Sequence, residues 1–205
     1  MTIGEYVERR GLHRRVTPRF CRPDNQERNV VGERMDKALR TTATVNCGCG
    51  QVAVEAIGAP ITCVVCYCVD CQEGARQIQS LPHAISVQEP DGGTGYLVYR
   101  KDRVTCLKGT SLLRHHKIRK SSATNRVIAA CCNSAMFLNF DDGKHWVDLY
   151  RSRCQGDVLP VQMRICTKFK PEGSTIPTDV RQYPRYPMSL LMKLVLARAA
   201  MTLHR

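Results

Sequence analysis

Cys63-Val64-Val65-Cys66-Tyr67-Cys68-Val69-Asp70-Cys71 carries four thiols in nine residues. Within it, Cys66, Cys68 and Cys71 read C-x-C-x-x-C. Packing alone asks for no such density. Thiolates repel one another unless a cation lies between them, and C-x-x-C with one more sulfur in reach is a zinc spacing. A redox dithiol or a set of buried structural cysteines is the alternative. Upstream lies a second C-x-C, Cys47-Gly48-Cys49-Gly50, and downstream the pair Cys131-Cys132. These seven cysteines in three clusters suit one or two metal ions. Three protein ligands leave a zinc with an open, reactive position, whereas four make a closed structural site. Cys63 also makes C-x-x-C with Cys66, so it competes for the fourth position of the central cluster.

At 205 residues the chain can bury one substantial core and carry tails besides. It shows no N-terminal run of signal-peptide type and no apolar stretch of membrane-spanning length. The expectation is therefore a cytoplasmic protein in a reducing compartment, where clustered thiols mean metal or chemistry rather than disulfides. Cys21, Cys106, Cys154 and Cys166 are scattered and read as ordinary buried or free cysteines.

The net charge is +13. Lys and Arg exceed Asp and Glu by ten to six in residues 1–40, thirteen to nine in 41–154 and eight to three in 155–205, so the excess is spread along the chain. Its densest run is Arg114-His115-His116-Lys117 with Arg119, Lys120 and Arg126. Such a run is either a solvated loop or a contact for an anionic substrate or polyanion. No aromatic residue interleaves with it, which argues against specific single-strand recognition and leaves weak polyanion binding.

Residues 1–40 lack a sustained apolar period and read as a basic, poorly ordered arm, with at most a short helix near 4–10. From Thr41 the texture changes. Cysteines two apart on a strand share a face, so Cys47 and Cys49 can grip one ion. Val52, Val54 and Ala56 alternate with Gln51, Ala53 and Glu55, predicting a half-buried strand. Residues 61–65 predict a strand that delivers the central cysteines. A short helix follows over 72–78, with Asp70 as its capping candidate. Further strands are expected at 83–89 (Ile85 and Val87 on one face), 96–99, 104–107, 112–118, 126–130, 135–140 and 146–150. Turn signals separate several of them, notably Asp91-Gly92-Gly93-Thr94-Gly95. Strands at this spacing argue a mainly β domain over 41–154. Residues 155–187, with five prolines, read as extended and mostly irregular. Leu190, Leu191, Leu194, Val195 and Ala199 then mark an amphipathic helix over 189–202 capped by Ser189. It docks on its own domain, on a second subunit in a homodimer, or on a membrane surface.

The order C-x-C-G, apolar strand, C-x-C-x-x-C and a strand-rich stretch closing on a Cys-rich element resembles the glutathione-dependent formaldehyde-activating enzyme family. That family also takes in the centromere-protein-V-like domains. The resemblance covers residues 41–154. It rests on Cys47-Gly48-Cys49-Gly50, Cys66-Tyr67-Cys68-Val69-Asp70-Cys71-Gln72, the Gly92-Gly93-Thr94 turn and Cys132-Asn133-Ser134. It implies an Mss4-like, zinc-stapled β-sheet fold. It implies two zinc ions, one structural between the first and last cysteine pairs, the other on Cys66, Cys68 and Cys71 with an open position. The implied activity is a carbon–sulfur lyase acting on S-hydroxymethyl-glutathione-like adducts. The family closes on C-x-x-C-G-[ST]. Here Ala129 stands at the first position, Asn133 replaces the glycine, and Cys131 directly precedes Cys132. Adjacent strand residues face opposite ways, so both thiols reach one ion only if the backbone turns, which Asn133 tolerates.

Two functions are therefore open. As an enzyme, the chain uses Cys66, Cys68 and Cys71 to present a metal to a substrate thiolate, with Arg114, Lys117 or Arg126 holding the carboxylates of a glutathione adduct. His83, His115 and His116 are the candidate bases by residue type. As a non-catalytic zinc-stapled module, it binds protein or nucleic acid.

Overall fold

The computed structural model describes residues 13–15, 42–156 and 158–203. The strands are β1 (His13–Arg15), β2 (Thr42–Asn46), β3 (Ala53–Ile57), β4 (Thr62–Cys66), β5 (Thr94–Arg100), β6 (Val104–Lys108) and β7 (Leu113–His116). They continue with β8 (Thr124–Ala129), β9 (Ser134–Phe140), β10 (Trp146–Tyr150), β11 (Cys154–Gly156), β12 (Met163–Ile165) and β13 (Gln182–Tyr183). Two α-helices stand among the described residues, α1 (Val69–Gln79) and α2 (Met188–Leu203). The fold is mainly β, as the strand spacing predicts. No described helix is long and apolar enough to cross a membrane.

One sheet has nine strands in the order β1-β7-β8-β9-β10-β5-β4-β12-β13, and the other four, β11-β2-β3-β6. Alternation along each strand divides the interior into two cores. Leu97 and Tyr99 of β5, Val147 and Leu149 of β10 and Cys63 of β4 pack with Ala43, Val45 and Val54 of the small sheet. Tyr96 and Val98, Tyr150, and Val64 and Cys66 point the other way. There they meet Cys71, Ala75 and Ile78 of α1 and Leu190 of α2. The large sheet is thus covered on both faces, which is why every residue of β4 and β5 is buried. At about 25 cal/mol per Å² of apolar surface removed from water, these two cores are the main driving force for the fold.

Several expectations are corrected in detail. The segment 83–89 is not a strand. It runs irregularly, with a single bridge from Gln88 to Thr94, and Ile85 is exposed while Val87 is buried. His83 breaks any strand there with φ +61°. The first helix starts at Val69 with Cys68 as N-cap and no side-chain cap bond, so Asp70 sits inside the first turn and is not the cap. Within the predicted arm, His13–Arg15 pairs with β7; the proposed helix near 4–10 and Cys21 lie outside the described residues.

The tail is mostly irregular, as expected, but adds two short strands. Strand β12 lies parallel to β4 and β13 parallel to β12, extending the large sheet beyond residue 154. Arg164 fixes this addition. It is 4% exposed and reaches Asp179 at 2.9 Å, the Tyr67 hydroxyl at 2.7 Å and Asp91 at 3.3 Å. A buried guanidinium is tolerated only with such partners. Helix α2 buries Leu190 and packs Leu194, yet leaves Leu191 and Val195 exposed, so only part of the predicted stripe faces the domain.

Candidate metal centres and the adjoining cavity

Two groups of cysteines converge. In the first, the Sγ atoms of Cys47, Cys49, Cys131 and Cys132 all lie within 4.8 Å of one another. Cys47 is 3.6 Å from Cys49 and 3.8 Å from Cys131, and Cys131 is 3.9 Å from Cys132. Four sulfurs held about 2.3 Å from a zinc ion stand about 3.8 Å apart at the corners of a tetrahedron. These three spacings match that figure, so the group suits zinc. The adjacent pair reaches one point because the chain turns after β8, where Cys132 N–H donates to Ala129 O and Asn133 takes φ +53°. Ser134 Oγ accepts from Gly48 N–H at 2.8 Å and lies 3.1 Å from Cys132 Sγ. Burial opposes ionisation of Cys132, but Ser134 and neighbouring backbone groups outweigh it and bring the thiol down to about 6. This group joins the end of β2, in the small sheet, to the β8–β9 turn of the large one.

The second group is Cys66, Cys68 and Cys71, again within 4.8 Å of one another. Cys66 ends β4, Cys68 caps α1 and Cys71 lies in its first turn. Helix N-termini favour thiolates. Hydrogen bonds from Cys66 and Cys71 lower Cys68 to about 3, and Arg126 adds to the effect. Cys66 is pushed up, chiefly by hydrogen bonds to Cys166, Cys68 and Cys71. Tyr96 donates its hydroxyl to Cys71 Sγ at 3.4 Å. An all-thiol donor set of this kind suits a soft or borderline cation such as zinc.

A cavity of about 380 Å³ opens on this second group. Val98, Leu138, Phe140, Trp146, Leu190 and Leu194 supply its apolar walls. Two polar groups on it are unsatisfied. Arg126 is 1% exposed; its Nη2 donates to the Asp70 carbonyl, while Nε and Nη1 have no partner among the described residues. Asp148 Oδ1 is sealed from solvent and equally unpartnered. Burial raises that carboxyl to about 7, against a small opposing pull from Lys144. Arg126 and Asp148 are in line across three strands, since both pair with Leu138 of β9. Buried unpaired polar atoms cost about 1–3 kcal/mol each, so their persistence in a cavity marks a place where a polar ligand fits.

The other sequence candidates lie elsewhere. Arg114 and Lys117 do not line the cavity, and Lys117 pairs with Asp141 at 2.5 Å. Arg119, in the same basic run, pairs with Asp70 at 3.0 Å. His83 is exposed, and His116 Nε2 lies 2.9 Å from Gln77 Oε1. None of His83, His115 and His116 lines the cavity. Cys63 is on the opposite face of β4 from Cys66, in the core between the sheets, and burial raises its thiol to about 11. It is not a partner of the central cluster. Asp148 carries no motif; only its place two residues before Tyr150 on a strand could have drawn attention to it.

No family model matches the chain, and no curated protein matches it. Three solved chains do. One is the crystal structure of a Rhodobacter sphaeroides protein, 12% identical, covering 68% of this chain and 98% of its own, with a TM-score of 0.39. A likeness of that size carries no argument about function.

Proposed function

We propose that the protein is a zinc-dependent carbon–sulfur lyase acting on thiol adducts of the S-hydroxymethyl-glutathione type, as the resemblance to the formaldehyde-activating family implies. The observation that carries this reading is the placement of three clustered thiols and a buried Arg126 guanidinium, only one of whose nitrogens has a partner among the described residues, on one largely apolar cavity. A zinc ion on Cys66, Cys68 and Cys71 would lower the pKa of a substrate thiol and hold its sulfur in place. The remaining chemistry needs no oxidant. The carbon–sulfur bond breaks, sulfur keeps the electron pair, the hydroxyl proton ends on that sulfur and the carbonyl of the aldehyde forms, giving thiol and formaldehyde. Arg126 binds a carboxylate of the adduct through Nη1, which has no partner among the described residues. The walls from β5, β9 and α2 exclude water and strengthen that charge pairing.

The test is exchange of formaldehyde between solution and S-hydroxymethylglutathione, followed by NMR on zinc-loaded protein. Exchange is expected to accelerate, and Arg126→Met to weaken substrate use by roughly ten- to a hundredfold. Absence of acceleration would reject the lyase reading. The alternative is a non-catalytic zinc-stapled module; the four-thiol group at Cys47, Cys49, Cys131 and Cys132, whose closed set has a structural pattern, would staple the fold under either reading. Weak polyanion binding by the basic run remains part of that alternative.

A further inference from the structure

The central group has three thiols and a tetrahedral zinc needs four ligands. Cys63, the nearest in sequence, faces the wrong way. We infer that Cys166, donated by the tail of the chain, is the fourth thiolate of the Cys66-Cys68-Cys71 centre. The inference rests on reading those three as a metal centre and does not depend on the lyase activity.

Backbone pairing delivers the residue. In the parallel pair β12–β4, Ile165 stands opposite Cys66, and Tyr67 N–H donates to Ile165 O at 3.0 Å. The chain then bends at once. Cys166 takes φ +58° and ψ 30°, a left-handed conformation that few non-glycine residues adopt, and a 3-10 turn over Thr167–Phe169 follows. Such a conformation is strained for a residue with a side chain and persists where surrounding structure holds it. Its effect here is to place the thiol of Cys166, which is 2% exposed, beside Cys66. Its Sγ stays outside the set of three that lie within 4.8 Å of one another, so ligation requires it to move inward when the metal binds. The Tyr186 hydroxyl holds the same thiol. Cys166 forms no disulfide. It approaches Cys66 from the tail strand rather than from the cavity, whose lining includes Ile165 and Tyr186 but not Cys166. An incoming substrate thiol must then compete with Cys166 for the fourth position. The centre is complete when the cavity is empty and becomes reactive only when Cys166 yields.

Cobalt(II) in place of zinc in the full chain tests this, because thiolate-to-cobalt absorption counts sulfurs. Cys166→Ala and Cys166→Gly are compared with the wild type. Glycine accepts the left-handed backbone without strain, so that variant keeps the fold if alanine does not. Both are expected to retain two metal ions per chain, in line with the two cysteine groups. Their absorption should fall by about one eighth, from eight thiolates to seven, and chelator competition should show affinity reduced roughly tenfold or more. Added glutathione should restore the lost absorption. Unchanged absorption and unchanged affinity in both variants would overturn the assignment. A wild-type spectrum with eight thiolates that ignores glutathione would uphold Cys166 as ligand and reject the lyase reading instead.

Discussion

Arg126 lies so close across Gly74 that a Cβ on Gly74 would fall 1.8 Å from Arg126 Nε. The contact explains a glycine inside α1, where it otherwise costs about 1 kcal/mol. Helix α1 is notched there to admit the guanidinium that faces the cavity. Gly74→Ala is therefore expected to displace Arg126 while leaving every charge in place. The variant should bind metal normally and lose carboxylate-bearing thiols roughly tenfold or more in affinity, while thiols without a carboxylate bind as before. Equal losses for both classes, measured by titration of the cobalt-substituted protein, would contradict this role of Arg126.

The four-thiol group contributes folding free energy directly, because its ligands converge only in the folded chain. Cys47→Ser or Cys49→Ser is expected to lose one metal ion and most of the stability, since such a site contributes on the order of 10 kcal/mol. Calorimetry with zinc analysis checks this. A variant with the wild-type midpoint and full zinc content would show that the group is not structural.

Asp148 predicts a pH effect with a definite sign. Its folded-state value is raised from 3.8 to about 7, so the folded protein holds a proton that the unfolded chain has released. Its contribution is most favourable below pH 4 and is lost as pH rises through about 7. The full cost at higher pH is at most about 4 kcal/mol. Asp148→Asn should therefore raise stability at pH 8 and flatten its pH dependence between about pH 4 and 7. A variant no more stable than the wild type at pH 8 would remove the case for an unsatisfied carboxyl.

Arg164 ties the tail to the sheet, with Asp91 and the Tyr67 hydroxyl left buried if it is removed. Arg164→Ala should cost about 3–5 kcal/mol. If Cys166 is a ligand, the loosened β12 should also weaken the central metal. Chelator competition that affects neither metal centre would separate the tail from the site.

How much of this could be read beforehand follows from the range of each signal. Strands at β2–β6 and β8–β10 announce themselves through alternation and turn residues, and the thiols of each cluster through local spacing. The facing of Cys63 against Cys66 also follows from their odd separation on one strand, once β4 is known to reach Cys66. Cys166 was not legible. Its position depends on a parallel pairing between segments about a hundred residues apart, and β12 has only three residues, too few to show a period. The irregular path at 83–89 was hidden for the opposite reason, because Ile85 and Val87 imitate a strand while His83 and the Glu89 turn decide the course of the chain. Nothing in the sequence around Gly74 signals that Arg126 lies against it.

The most direct measurement is zinc content by mass spectrometry and elemental analysis of the full chain, with and without Cys66→Ser. The account predicts two zinc ions per wild-type chain, and one in a variant that stays folded, because only the central centre is lost. A wild-type chain with one zinc ion or none, or a Cys66→Ser variant that keeps both, would contradict it.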